Sequence, residues 1–137
     1  MTQPHYRDKF WERRLEHCRA ALEENNFEVF VAGSCDEART IFNRKIFPHL
    51  NVSSASWGDS MTLHATGILE DMKNMPDVAV IETVAAGVPR AEILERRRQA
   101  LLVDLFLTGS SAVTEQGQLV NLDMVGNRVG GISFGPR

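Results

Sequence analysis

The sequence predicts an α/β domain built on a mostly parallel sheet, and three observations carry that prediction. First, apolar stretches of strand length alternate with amphipathic stretches of helix length, in the order α-β-α-β-α-β-α-β. Second, the last apolar run, Leu101 to Leu107, opens into a stretch from Thr108 to Pro136 that holds six glycines among small polar residues. Backbone approaches a ligand closely at glycine and hydroxyls supply hydrogen bonds, so such an opening is how an open α/β sheet presents a ligand site. Third, 137 residues, 43% of them hydrophobic, suffice for one domain with a real core and fall short of two.

Tyr6 to Asn25 reads as an amphipathic helix, with Phe10, Trp11, Leu15, Cys18, Ala21 and Leu22 at helical spacing and charged residues elsewhere. His17 and Cys18 are adjacent, so they point about 100° apart on a helix, and no second ligand pair accompanies them. That argues against a metal site. Phe27 to Ala32 is β-branched and aromatic and is predicted as a strand. Ser34 and Glu37 have capping-box spacing, with the Ser34 hydroxyl accepting from the Glu37 amide. The helix that follows buries Ala38, Ile41, Phe42 and Ile46 and must end near Pro48.

Val52 to Trp57 is the next strand. It leads through Gly58-Asp59-Ser60 into a helix expected over 61–73. Two readings of that turn stay open. Gly58, Ser60 and Thr62 can offer amides and hydroxyls to an anion at the helix start, or Asp59 or Ser60 simply caps the helix. The charge of Asp59 opposes an anion unless it is paired or points away. His64 lies four residues after Ser60 and shares its side of the helix. Val78 to Val84 is a third strand, with Glu82 either solvated or facing a site. Pro89 can start the helix from Arg90 to Leu101, whose Arg96-Arg97-Arg98 run reads as a wet face; phosphate binding by the run is the minor reading, since consecutive arginines on a helix cannot all meet one ligand. Leu102 to Leu107 is the fourth strand. Beyond it, Ser110, Ser111 and Thr114 can contact ligand oxygens, and Glu115 is the best-placed carboxylate for acid–base work; the alternative is an exposed glycine-rich turn. Asn127 and Arg128 follow Gly126, either as caps or facing the site.

A formal net charge of −3 supplies no basic patch for nucleic acid or an anionic membrane. No apolar run approaches the roughly 20 residues of a membrane span, and the opening MTQPHYRDKFWERR lacks the apolar core of a secretory signal. Two cysteines on separate predicted elements read as free thiols, which together predict a cytoplasmic protein. There is no dinucleotide fingerprint and no CxxC pair, so neither a metal nor a redox cofactor is expected within the chain.

Several blocks, in this order and spacing, go further. They are Ser56-Trp57-Gly58-Asp59-Ser60-Met61-Thr62-Leu63 with Gly67, and Arg96-Arg97-Arg98-Gln99-Ala100-Leu101-Leu102. The third is Thr108-Gly109-Ser110-Ser111-Ala112-Val113-Thr114-Glu115 with Gly117, and then Leu119-Val120-Asn121, Asp123, Gly126-Asn127-Arg128-Val129 and Phe134-Gly135-Pro136. Together they resemble the LUD domain of bacterial lactate-utilisation proteins over nearly the whole chain. The resemblance implies a three-layer α/β/α fold like that of ribose-5-phosphate isomerase and the CoA-transferases. It implies a role in oxidising L-lactate to pyruvate with iron–sulfur partner proteins. In such proteins the chain continues beyond this point into further α/β structure and often a cysteine-containing tail, so residues 1–137 are expected to be the N-terminal portion of a longer domain, with any iron–sulfur cluster in that tail or in the partners.

On this reading the ligand is a small anionic metabolite bound by Gly58, Ser60, Thr62, Gly109, Ser110, Ser111, Thr114, Asn127 and Arg128, with Glu115 as acid or base. The two glycine-rich loops are expected to face one crevice, with Ser60 and Ser111 within a ligand's width. A sheet edge left uncovered predicts a homo-oligomer. The competing readings are an isomerase, CoA-transferase or ligase-like enzyme, and a non-catalytic ligand-binding module.

Overall fold

The computed structural model describes residues 6–136. These fall into two compact units, one of residues 33–109 with 122 onward, the other of residues up to 32 with 110–121.

The larger unit is the α/β body. Its sheet has three parallel strands, β1 (Ser54–Trp57), β2 (Ala79–Ile81) and β3 (Leu105–Leu107), in the spatial order β2-β1-β3. Ala55 pairs with Val80 on one side and Leu105 on the other, and Trp57 with Leu107. From β1 the chain runs through α3 (Met61–Thr66) and α4 (Ile68–Lys73) to β2, then back past β1 through α5 (Arg90–Gln99) to β3. These crossovers travel in opposite directions, and right-handed connections then put their helices on opposite faces. Packing agrees. Leu105 and Leu107 lie against a buried cluster of Phe42, Ala55, Ile68 and Met72. Phe106 points the other way, onto α6 (Asn127–Ser133), where a Cβ on Gly131 would sit 2.5 Å from its ring. Helices on both faces of a parallel sheet are the α/β architecture that the element order predicts.

Local chemistry sets the boundaries. α2 (Cys35–Ile41) starts where Ser34 Oγ accepts from the Glu37 amide at 3.1 Å, as its spacing predicts. The Glu37 carboxylate accepts instead from the Gly33 amide, at 2.7 Å. The single helix expected over 61–73 is two, because Gly67 turns left-handed at φ 74° and Thr66 Oγ1 donates back to the Leu63 carbonyl. Ala100–Leu102 winds tighter after α5, so the strand expected from Leu102 begins at Leu105. The strand expected over 78–84 narrows to Ala79–Ile81. At the start of β1, the Asp104 carboxylate accepts from the Ser53 and Ser54 amides and the Ser54 hydroxyl, each at 2.9 Å, tying β1 to the approach to β3.

The smaller unit holds α1 (Tyr6–Glu24), the extended segment 27–32 and a hairpin of β4 (Ala112–Val113) with β5 (Leu119–Val120). Gly117 presses on α1, where a Cβ would lie 2.6 Å from the Ala21 carbonyl, and Asn25 Nδ2 donates to the Gly117 carbonyl at 3.0 Å. The strand expected over Phe27 to Ala32 is not formed, since this segment pairs with no other strand among the described residues. Its β-branched and aromatic residues favour an extended backbone, but a strand also needs a ladder partner. Apolar side chains here stay well exposed, Phe10 at 53% and Trp11 at 51%.

Candidate functional site

The strand order reverses between β1 and β3, and a doubly wound sheet opens its crevice at the carboxyl ends of the two strands flanking such a reversal. Both ends run into glycine. After β1 come Gly58, Asp59 and Ser60; after β3 come Thr108 and Gly109. The Gly58 amide donates to the Leu107 carbonyl at 2.8 Å, extending the pairing by one residue. A Cβ on Gly109 would lie 2.5 Å from Ser60 Oγ, and one on Gly58 would lie 2.5 Å from Arg128 Cγ and 2.7 Å from Thr108 Oγ1. Glycine is therefore what lets the two loops touch and the Arg128 stem cross over them.

The start of α6 is fastened by one carboxylate. Asp123 Oδ2 accepts from the Arg128 amide at 2.8 Å and the Val129 amide at 3.1 Å, and Oδ1 lies 3.6 Å from Arg128 Nε. Burial pushes the Asp123 carboxyl up, but the two amides and the Arg128 charge outweigh it and hold the group below its ordinary value. The Arg128 guanidinium also donates to the Leu122 carbonyl at 2.5 Å.

Asp59 of the Gly58 loop and the residues around the start of α6 line a cleft of about 620 Å³, together with Thr83 and Val84 beyond β2 and Arg97 of α5. Its polar lining comes from Asp59, Thr83, Arg97, Asp123, Asn127 and Arg128, and its apolar lining from Val84, Leu122 and Met124. Thr83 is buried and spends its hydroxyl on the Trp57 carbonyl at 2.8 Å. Along the arginine run of α5, Arg96 pairs with Glu92 and Arg98 with Glu95. Arg97 lines the cleft instead, and its Nε is buried with no hydrogen-bond partner among the described residues.

Of the residues the sequence nominates, Gly58, Ser60, Gly109, Asn127 and Arg128 meet around the reversal point. Ser60 accepts from the Leu63 amide at 3.3 Å, so it caps α3; Thr62 is exposed on the first turn of that helix. Ser110, Ser111, Thr114 and Glu115 belong to the hairpin unit. There the Thr114 hydroxyl accepts from the Gln118 amide at 3.0 Å, and Glu115 is ion-paired with Arg14. Glu82 pairs with Lys73 at 3.0 Å, which holds the Lys73 ammonium above its ordinary value. His64 Nε2 lies 3.8 Å from Asp59 Oδ1, both side chains being exposed. The sequence reading assigns Thr83 and Asp123 no site role and sets aside the arginine run that holds Arg97. A signal for Arg97 was present: the residues three and four positions before it are Leu94 and Ile93, so no acidic neighbour on its helix can claim it.

Among the described residues, no group of three His, Cys, Asp or Glu side chains is placed to hold a metal ion. Cys18 and Cys35 are both free thiols. No helix among the described residues is long and apolar enough to cross a membrane.

A family model for the LUD domain matches residues 15–137. The chain belongs to the LUD-domain family. That family is linked to lactate utilisation. No curated protein and no solved structure matches the chain. The match covers the larger unit of this LUD domain and the smaller one from residue 15, and takes in every residue around the reversal point. Chemically, the cleft offers one uncommitted guanidinium, an amide side chain and a fastened arginine beside a single exposed carboxylate.

Proposed function

We propose that this LUD domain binds a small anionic metabolite at the carboxyl ends of β1 and β3, as a ligand-binding or assembly subunit of a lactate-utilisation system that works with iron–sulfur partner proteins. The observation that carries the reading is the meeting of the Gly58 loop, the Gly109 loop and the Arg128 stem at the sheet's reversal point, beside a cleft that Asp59, Asn127 and Arg128 line. In this reading Thr62 contributes a further hydroxyl to the ligand; in the hairpin unit, taken by itself, Ser110, Ser111 and Thr114 offer hydroxyls, and Glu115, once released from Arg14, offers an acid or base. Iron–sulfur clusters are held by four cysteine thiolates, and two cysteines do not fit one. The reading therefore assigns the cluster to partner proteins or to a cysteine-containing tail outside residues 1–137, and not to Cys18 and Cys35.

The test is a thermal-shift panel with L-lactate, pyruvate, sugar phosphates, CoA and inorganic phosphate. A ligand at a hundred times its dissociation constant adds about 2.7 kcal/mol, which is several degrees for a domain of this size. Stabilisation by lactate or pyruvate is expected. Stabilisation by a sugar phosphate or CoA alone would replace the reading with an isomerase or transferase on the same fold. Self-association belongs to the same proposal. The unpaired segment Phe27–Ala32, with Phe30 and Val31 exposed, supports it, because an apolar extended edge recruits another strand. A monomer in sedimentation velocity at high concentration would contradict it.

A further inference from the structure

We infer that Arg97 is the residue that recognises the ligand's charge, and that the group it takes is a single carboxylate. This rests on the reading of the cleft as a ligand site and adds the residue and the charge it selects.

Three observations carry it. Arg96 and Arg98 are held by Glu92 and Glu95 on their own helix, whereas Arg97 has only Leu94 and Ile93 at those spacings and forms no ion pair among the described residues. Its side chain is half-buried on the cleft wall, with Nε covered and without an acceptor. A part-buried guanidinium with an unsatisfied donor is costly, and an anion brought beside it offsets that cost with charge-assisted hydrogen bonds. The other charges in the cleft set the size of that anion. Arg128 and Asp123 compensate each other at the start of α6, which leaves Arg97 and Asp59, the latter 3.8 Å from His64 Nε2, as the other charged side chains that line the cleft. One unpaired guanidinium, in a cleft that also holds a carboxylate, suits a ligand with a single negative charge and opposes a phosphate dianion. The guanidinium fork matches the two coplanar oxygens of a carboxylate, and Asn127, on the same wall, can serve a neutral oxygen of the ligand.

The test is a titration of the whole chain followed by the arginine Nε–Hε resonances in NMR. Acetate and L-lactate are added to wild type, Arg97→Gln, Arg97→Lys and Arg98→Gln, with acetamide as the uncharged isostere and inorganic phosphate as the dianion. Acetate and lactate are expected to shift the Arg97 resonance, and acetamide is not. Arg97→Gln is expected to weaken carboxylate binding at least tenfold, Arg97→Lys severalfold because the fork is lost, and Arg98→Gln not at all. The wild-type titration needs no variant to fold. The proposal is overturned if no carboxylate moves the Arg97 resonance, if Arg97→Gln binds as wild type does, or if phosphate binds more tightly than acetate. Lactate binding untouched by Arg97→Gln would leave the site reading standing without this residue. Acetate bound at Arg97 while neither lactate nor pyruvate binds would leave Arg97 standing without the lactate reading.

Discussion

Gly58→Ala is the sharpest probe of how the site is assembled. Gly58 is buried and is not among the left-handed glycines, so an alanine there meets no backbone strain and its cost is steric. Its Cβ would lie 2.5 Å from Arg128 Cγ, 3.0 Å from Arg128 Cδ and 2.7 Å from Thr108 Oγ1. The threonine can turn about one bond. Arg128 cannot swing freely, because its guanidinium is tied to the Leu122 carbonyl and sits beside Asp123. Overpacking of this kind costs about 1–3 kcal/mol, which is a Tm drop of about 3–12 °C for a domain of this size. The assay is urea denaturation of Gly58→Ala, Arg128→Ala and the double variant. Removing the Arg128 stem should relieve most of the clash, giving a coupling of about 1–2 kcal/mol. If Gly58→Ala costs the same with and without Arg128, the convergence of the β1 loop and α6 is wrong, and the site built on it falls.

Other predictions test the frame around the cleft. The hydrogen bond from Arg39, followed by that from Asn43, holds the Asp71 carboxyl at about 2 instead of 3.8. Its folded value is depressed, so this stabilisation is complete above about pH 4 and is lost as pH falls from there through about 2. With the Arg39 side chain 46% exposed, about 1 kcal/mol is expected; denaturation at about pH 6 and about pH 2.5 should show Asp71→Asn losing less on acidification than wild type. Gly117→Ala places a Cβ 2.6 Å from the Ala21 backbone at φ 74°, with no side chain able to yield. A cost of about 2–4 kcal/mol is expected, read as faster hydrogen exchange at the Thr114 and Gly117 amides; unchanged protection would contradict the hairpin's seat on α1. Phe30→Lys should lower the association order in sedimentation velocity while leaving the melting of the α/β body unchanged, and an unaffected oligomer would clear the segment 27–32 of that role.

What the sequence makes legible about the fold follows from how local each signal is. The Ser34–Glu37 cap and the parallel rhythm rest on neighbours within a few residues and on the alternation of period, and both stand in the structure. The break at Gly67 rests on a left-handed turn inside an otherwise helical pattern. A glycine there is compatible with one helix or two, and only the Thr66 hydroxyl turning back onto Leu63 decides it. Phe27 to Ala32 fails for the opposite reason. Its side chains specify an extended backbone well, but pairing is a property of whatever lies alongside, and nothing in six residues encodes that.

The site divides along the same line. Gly58, Gly109 and Arg128 are visible because glycine clusters after strands have few other uses, and the structure supplies their reason: a Cβ at either glycine would lie 2.5 Å from a side-chain atom. Arg97 stays hidden inside a charged run that reads as a solvated face. The argument that three consecutive arginines cannot meet one ligand is sound, but it excludes a shared role and not a single one. On a helix with Glu92 and Glu95 each claiming a neighbour, the arginine whose i−3 and i−4 positions are Leu94 and Ile93 is the one that lines the cleft without an ion pair among the described residues. A charge run on a helix is therefore better read residue by residue against its i−3 and i−4 partners than as a block, because the residue without a partner is the one with binding energy left to give.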